Sequence, residues 1–186
     1  GVALRDDGET LAVTSAERSV LEYQHHVLAP PVGTNPLYAR SGFIHPLHAP
    51  SGAVLTRIHP RDHIHHMGIW NPWTSTTFEG RQVDFWNIGS GQGTVRFKEF
   101  KDLSVGPVFG KFTAVQEHVV LQGEDAPKTA LLEDFSVRVW NVCRDGRLFL
   151  VDIVSRQRCA TDSPLTLNAY RYGGLGFRGT DEWTGV

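Results

Sequence analysis

Three of the nine histidines in this chain fall in one five-residue run, Asp62-His63-Ile64-His65-His66, with Trp70 and Trp73 close behind. Imidazole exchanges its proton nearest neutral pH and, when neutral, is the commonest nitrogen ligand for transition metals. Such a cluster points to proton transfer or to metal binding. On an extended strand side chains alternate between faces, so His63 and His65 are expected on one face and His66 with Asp62 on the other. Five more histidines, His25, His26, His45, His48 and His59, lie between residues 25 and 59, and the ninth is His118.

Two chemistries suit these groups. In one, His63 and His65, with His45 or His66, hold a divalent cation that polarises a carbonyl or hydroxyl, and Asp84 or the remaining histidine moves a proton. In the other no metal takes part, and His63 or His65 works with Asp84 as an acid–base pair. A glycosidase with two opposed carboxylates would draw on Asp62, Glu79 and Asp84, but the sequence brings no two of them face to face. A Ser-His-Asp hydrolase finds no support, because no G-x-S-x-G elbow is present.

The elements that must position these groups read as strands. Leu11–Thr14, Ser19–Tyr23, Thr94–Lys98 and Phe135–Trp140 are rich in β-branched and aromatic residues with partial alternation. Nineteen glycines and ten prolines leave few windows able to sustain a helix. Asp145-Gly146, within Cys143-Arg144-Asp145-Gly146-Arg147, predicts a tight hairpin that makes Trp140 and Leu148 neighbours on adjacent strands. Residues 25–52 carry Pro30, Pro31, Pro36, Pro46 and Pro50, which predicts a long ordered loop and no central strand. The expectation is an all-β, antiparallel sandwich forming one domain over residues 1–186.

Composition narrows the partners. Eighteen basic residues against twenty acidic ones, a formal charge of −2, call for no nucleic-acid or membrane-surface partner. No apolar run approaches the ~20 residues of a membrane helix, and the first residues lack a signal-peptide pattern, so a soluble protein, cytoplasmic or exported with its leader removed, is expected. Cys143 and Cys159 match no zinc or redox spacing and read as two small buried thiols. The glycine-rich Tyr170–Gly179 segment lacks the context of a phosphate loop, so no nucleotide cofactor is expected. Its Arg171 and Arg178 could present guanidinium groups to a sugar hydroxyl or a carboxylate.

Read together, Arg40–Arg57 (with His45-Pro46-Leu47-His48), Pro60–Trp70, Val83-Asp84-Phe85-Trp86 and Tyr172–Arg178 resemble the PmoA-like family, which carries a methane-oxygenase label. The resemblance implies a large sandwich of the galactose-mutarotase-like kind and a setting among bacterial genes for glycoside breakdown. It also implies that the family pattern continues beyond Val186, so C-terminal strands of the sandwich are expected to be missing. His45, Arg57, His63, His65, His66, Asp84, Trp86 and Arg178 fall on the family pattern. The methane label conflicts with the lack of a membrane span and is set aside.

The resulting expectation is a carbohydrate-active enzyme of lyase, hydrolase or epimerase type acting on a glycoside or a keto sugar. Its catalytic candidates are His63, His65, Asp84 and His45. Arg57, Trp70, Trp86 and Arg178 would bind the sugar, its C–H faces packing on indole and its hydroxyls meeting charged donors. His63, His65 and His66 would ligate a divalent metal if one is used. The alternative is a noncatalytic carbohydrate-binding sandwich in which the tryptophans are core and the histidines are hydrogen-bonded scaffolding.

Overall fold

The computed structural model describes residues 1–143 and 145–183 and is built almost wholly from strands. In chain order these are β1 (Val2–Asp6), β2 (Thr10–Ser15), β3 (Arg18–Gln24), β4 (Phe43–Leu47), β5 (Ile69–Trp70), β6 (Thr76–Phe78), β7 (Arg81–Val83), β8 (Gly93–Val105), β9 (Phe109–Val120), β10 (Lys128–Trp140), β11 (Leu150–Cys159), β12 (Leu165–Leu167) and β13 (Gly176–Phe177). Three single 3-10 turns are the only helical pieces among the described residues. All sheet pairings are antiparallel.

A six-stranded sheet in the order β1-β2-β3-β4-β5-β13 faces a four-stranded sheet in the order β11-β10-β9-β8, and a small sheet β12-β6-β7 closes one end. The alternation in β2 explains the packing: Leu11, Val13 and Ser15 point inward while Thr10, Ala12 and Thr14 do not. Leu11, Val13, Leu21, Tyr23, Ile44 and Ile69 of the first sheet meet Phe112, Ala114, Phe135, Val137 and Val139 of the second in one core. Tyr23 sits at its centre, with the rings of Phe97, Phe100, Phe112 and Phe135 5.0–6.2 Å away. Two apolar sheet faces buried against each other make a sandwich, as expected.

Four local expectations are corrected. Residues 25–52 are not all loop, because β4 lies between β3 and β5 and contains Pro46. The β3–β4 register shifts between Leu21 and Tyr23, an irregularity that spares the ladder a missing proline N–H. The hairpin exists, but the turn is wide: Trp140 pairs with Leu150, and Leu148 precedes the strand. Gly146 donates to the Cys143 carbonyl and Arg147 to the Asp145 side chain, so Asp145-Gly146 bends a longer loop, and Arg144 lies outside the described residues. The cysteines are unpaired and neither is buried: Cys143 is partly exposed and Cys159 is exposed on β11, an edge strand of its sheet. The histidine run, finally, is not a strand.

No helix among the described residues is long and apolar enough to cross a membrane.

Candidate functional site

The run is the tip of a loop tied back on itself. Ile58 and Met67 form an isolated antiparallel bridge, and His59 N–H donates to the His66 carbonyl at 2.9 Å. Inside the tip His63 N–H donates to Pro60 O at 3.1 Å and His66 N–H to His63 O at 2.9 Å, giving two successive turns. His59 Nδ1 bonds the Ile64 carbonyl at 2.7 Å and ties the tip from within. The loop base is set by Gly68, whose φ is +61°; a Cβ there would lie 2.2 Å from the Ile44 carbonyl oxygen, so only glycine fits.

Turns replace the alternation of a strand, so all three rings converge instead of splitting between faces. His63 and His66 stack with centroids 4.7 Å apart, His65 meets His66 edge-on at 4.7 Å, and His63 and His65 are 5.8 Å apart. They line a cleft of about 400 Å³ together with Trp86, Asn87, Arg171 and Tyr172. Trp86 packs on Tyr172 at 5.4 Å and on the buried Trp70 at 4.8 Å. Gly176 on β13 admits these indoles, since a Cβ would come within 2.8 Å of Trp86 and 3.0 Å of Trp70.

Arg178 reaches across the loop. Its Nη2 donates to Asp62 Oδ1 at 2.7 Å, and Asp62 Oδ2 accepts from His63 Nδ1 at 2.8 Å. An ionised carboxylate only accepts hydrogen bonds, so Nδ1 carries the proton and the lone pair of neutral His63 lies on Nε2. The hydrogen bonds from His63 and Arg178 hold the Asp62 carboxyl far below the usual carboxylate range. Desolvation, and then the charge of His63, depresses His65. Desolvation, followed by His65, His63 and Arg178, lowers His66 to about 4. At neutral pH His65 and His66 therefore present neutral imidazoles.

The remaining candidates take other places. Asp84 is engaged locally: Oδ1 accepts from Trp86 N–H and Asn87 N–H at 2.8 Å each, and Oδ2 accepts from Asn87 Nδ2 at 2.6 Å. It shapes the loop that carries Trp86 and Asn87, is absent from the cleft lining, and its charge acts on His65. His45 is outside the cleft lining; its Nδ1 bonds Thr56 Oγ1 at 2.9 Å, and burial lowers its pKa. Arg57 is ion-paired with Asp181 and is absent from the cleft lining. Trp70 is 1% exposed in a cluster with Phe43, Met67 and Trp86, so it offers no face to a ligand and supports the platform from below. Arg178 positions Asp62 and is absent from the lining. Asn87 and Tyr172 line the cleft without having been singled out; the signal for Tyr172 was its place beside Arg171, whose guanidinium carbon lies 5.3 Å from the tyrosine ring centroid.

Among the described residues no group of three or more His, Cys, Asp or Glu side chains is disposed to hold a metal ion. His63, His65 and His66 are packed ring on ring, and His63 Nδ1 is committed to Asp62. The three rings as packed do not form such a group, while a carboxylate on Nδ1 leaves His63 Nε2 open.

A second histidine–carboxylate pair lies between the sheets. His118 on β9 and Glu133 on β10 are both 0% exposed, and His118 Nε2 donates to Glu133 Oε2 at 2.9 Å. Asn71 Nδ2 donates to Glu133 Oε1 at 2.5 Å and to Ser155 Oγ at 3.0 Å. Desolvation alone would raise Glu133, but these hydrogen bonds and the charge of His118 outweigh it and leave the carboxyl below its ordinary value. This pair lines none of the clefts described here and belongs to the scaffold.

No curated protein and no solved structure matches the chain. A family model does match, described as a family of unknown function (DUF6807), and it spans residues 10–186. With nearly the whole chain matched, the protein belongs to that family of unknown function.

Proposed function

We propose that the cleft binds a carbohydrate and that His63 moves a proton on it. The observation that carries this reading is the Arg178–Asp62–His63 chain at the edge of a cleft walled by Trp86 and Tyr172. A carboxylate on Nδ1 fixes the tautomer and ring orientation and stabilises the imidazolium formed when Nε2 accepts a proton, the arrangement expected of a general base and its orienting group. His65 and His66, kept neutral, offer N–H donors and lone pairs to sugar hydroxyls. Trp86 and Tyr172 supply flat apolar surface for pyranose C–H faces, and Arg171 supplies a charged donor.

Proton removal from a hydroxyl, or from a C–H beside a sugar ketone, suits an epimerase or lyase acting on a glycoside or keto sugar. The resemblance to PmoA-like proteins and their glycoside-degrading setting supports the substrate class. No Asp or Glu lines the cleft among the described residues, so a mechanism with two opposed carboxylates has no carriers there. A noncatalytic carbohydrate-binding sandwich is the second reading; it is favoured by Asp84, which is hydrogen-bonded within its own loop and does not line the cleft.

The test is to offer glycosides, 3-keto-glycosides and free aldoses and to follow products by chromatography, with and without chelator. Turnover of one class that persists in chelator and falls ~10²–10⁴-fold in His63→Ala is expected. Saturable binding without turnover would establish the noncatalytic module, and turnover abolished by chelator would replace the acid–base mechanism with a metal-dependent one.

A further inference from the structure

Beside the histidine cleft, across the wall formed by Arg171 and Tyr172, lies a second hollow of about 200 Å³, lined by Trp73, Thr74, Ser75, Asn168 and Tyr170. The two hollows share Arg171 and Tyr172. Functional pockets run to ~300–1,000 Å³, so the smaller hollow makes sense as an annex to the larger one and not as a separate site. The aromatic surface is continuous between them: Trp86 to Tyr172 is 5.4 Å and Tyr172 to Tyr170 is 5.0 Å between ring centroids.

The annex has polar groups in hand. Thr74 is 6% exposed, and its hydroxyl has no hydrogen-bond partner among the described residues, although a buried unpaired hydroxyl costs ~1–3 kcal/mol. Asn168 is held by its backbone N–H on Ser75 O at 2.9 Å and by Nδ2 on Thr77 Oγ1 at 3.0 Å, which leaves its side-chain oxygen as an acceptor. Trp73 is pinned by its indole N–H on Gln157 Oε1 at 2.9 Å, so its ring is a fixed surface. Aromatic faces beside hydroxyl and amide groups, with no aliphatic side chain in the lining, match a sugar ring better than an apolar substituent.

We propose that this annex is a second subsite and that the protein's ligand is at least a two-ring carbohydrate, one ring over the histidines and the next against Trp73, Tyr170 and Thr74, with Tyr172 between them. The inference rests on reading the histidine cleft as a carbohydrate site.

Titration calorimetry with glucose, maltose and cellobiose, and with galactose and lactose, tests it. At least one disaccharide should bind ten-fold or more tightly than its monosaccharide. Tyr170→Ala, at an exposed position where folding is not at risk, and Thr74→Val, which removes only the hydroxyl, should each erase most of that gain and leave monosaccharide affinity unchanged. Monosaccharide binding that is lost in His65→Ala, with no gain for any disaccharide, would overturn the subsite and spare the cleft. A gain untouched by both variants would also overturn it. Binding of none of these sugars would remove the cleft reading, and the subsite with it.

Discussion

Two histidine–carboxylate pairs in this molecule have nearly the same local geometry and opposite surroundings. His63 meets Asp62 at 2.8 Å on an exposed turn, and His118 meets Glu133 at 2.9 Å where neither side chain is exposed. The buried pair sits on two central strands, and Glu133 spends its oxygens on His118 and Asn71. The exposed pair is adjacent in sequence, is anchored from outside by Arg178, and opens onto a cleft. The lesson is that a short His–carboxylate contact does not mark a site. What separates the two pairs is access to an uncommitted ring nitrogen, which of the two only the turn supplies.

The comparison breaks first at the buried pair. Removing one partner of a buried hydrogen-bonded pair leaves the other unsatisfied and costs ~1–3 kcal/mol, more for a charged group, whereas replacing both by apolar groups of similar shape is often near neutral. Glu133→Ala should therefore lower the urea midpoint steeply, and the double variant His118→Leu/Glu133→Leu should be more stable than the single one. A double variant as unstable as Glu133→Ala would mean that the pair supplies net stability and not only mutual compensation.

Asp84 gives the next largest effect. Its carboxylate satisfies two backbone N–H groups and the Asn87 amide, so Asp84→Ala should cost ~1–3 kcal/mol and loosen the Trp86 and Asn87 wall. Asp84→Asn, which keeps one acceptor oxygen, should recover part of that loss in thermal denaturation. If Asp84 were instead a proton-transfer group, both variants would keep the wild-type melting temperature while losing turnover.

These outcomes bear on how much was legible in the sequence. Strands β2 and β10 show through alternation because each has one face in the core, and β3 shows through its β-branched and aromatic residues. Strand β9 escaped because it is buried along nearly its whole length between β8 and β10, so Gln116 and His118 interrupt its apolar run without marking a solvent face. The histidine cluster was visible by density alone, but its geometry was not. Convergence depends on two turns and on Arg178, which reaches Asp62 from 116 residues away. Separation in sequence also hid Tyr172, which meets Trp86 only in the folded chain, where β13 pairs with β5.

Acidification should act on the exposed cluster in a defined direction. His66 is lowered to about 4 in the fold against an ordinary value near 6.5, so between these pH values the unfolded chain takes a proton that the folded one refuses. The stabilisation is complete above pH ~6.5 and is lost as the pH falls toward 4. His66→Phe keeps the ring contact with Trp70 and removes the titration, so its melting temperature should fall less than the wild type's between pH 7 and pH 4.5. Asp62, His63, His65 and Arg178 face the same ring and stay in place in that comparison. Parallel slopes for the two proteins would remove His66 as a source of acid sensitivity.

The smallest effect on stability is expected at Arg178, where function and folding should separate most cleanly. Its ion pair with Asp62 is half in water, with the Asp62 side chain 54% exposed, and such pairs contribute ~0.2–1 kcal/mol. Its backbone is held independently by N–H on Gly68 O and by its carbonyl on Arg57 N–H, so Arg178→Gln should leave these backbone bonds in place. What it removes is the anchor that aims Asp62 at His63. On the acid–base reading kcat should drop while KM changes little, because Arg178 does not line the cleft. Arg178→Lys should restore charge but not the planar geometry of the guanidinium, and so recover only part of kcat. Added salt should shrink the stability difference between wild type and Arg178→Gln, since exposed charges are screened over ~10 Å at 0.1 M. A variant that loses several kcal/mol instead would place Arg178 with Glu133 among the groups that hold the fold together.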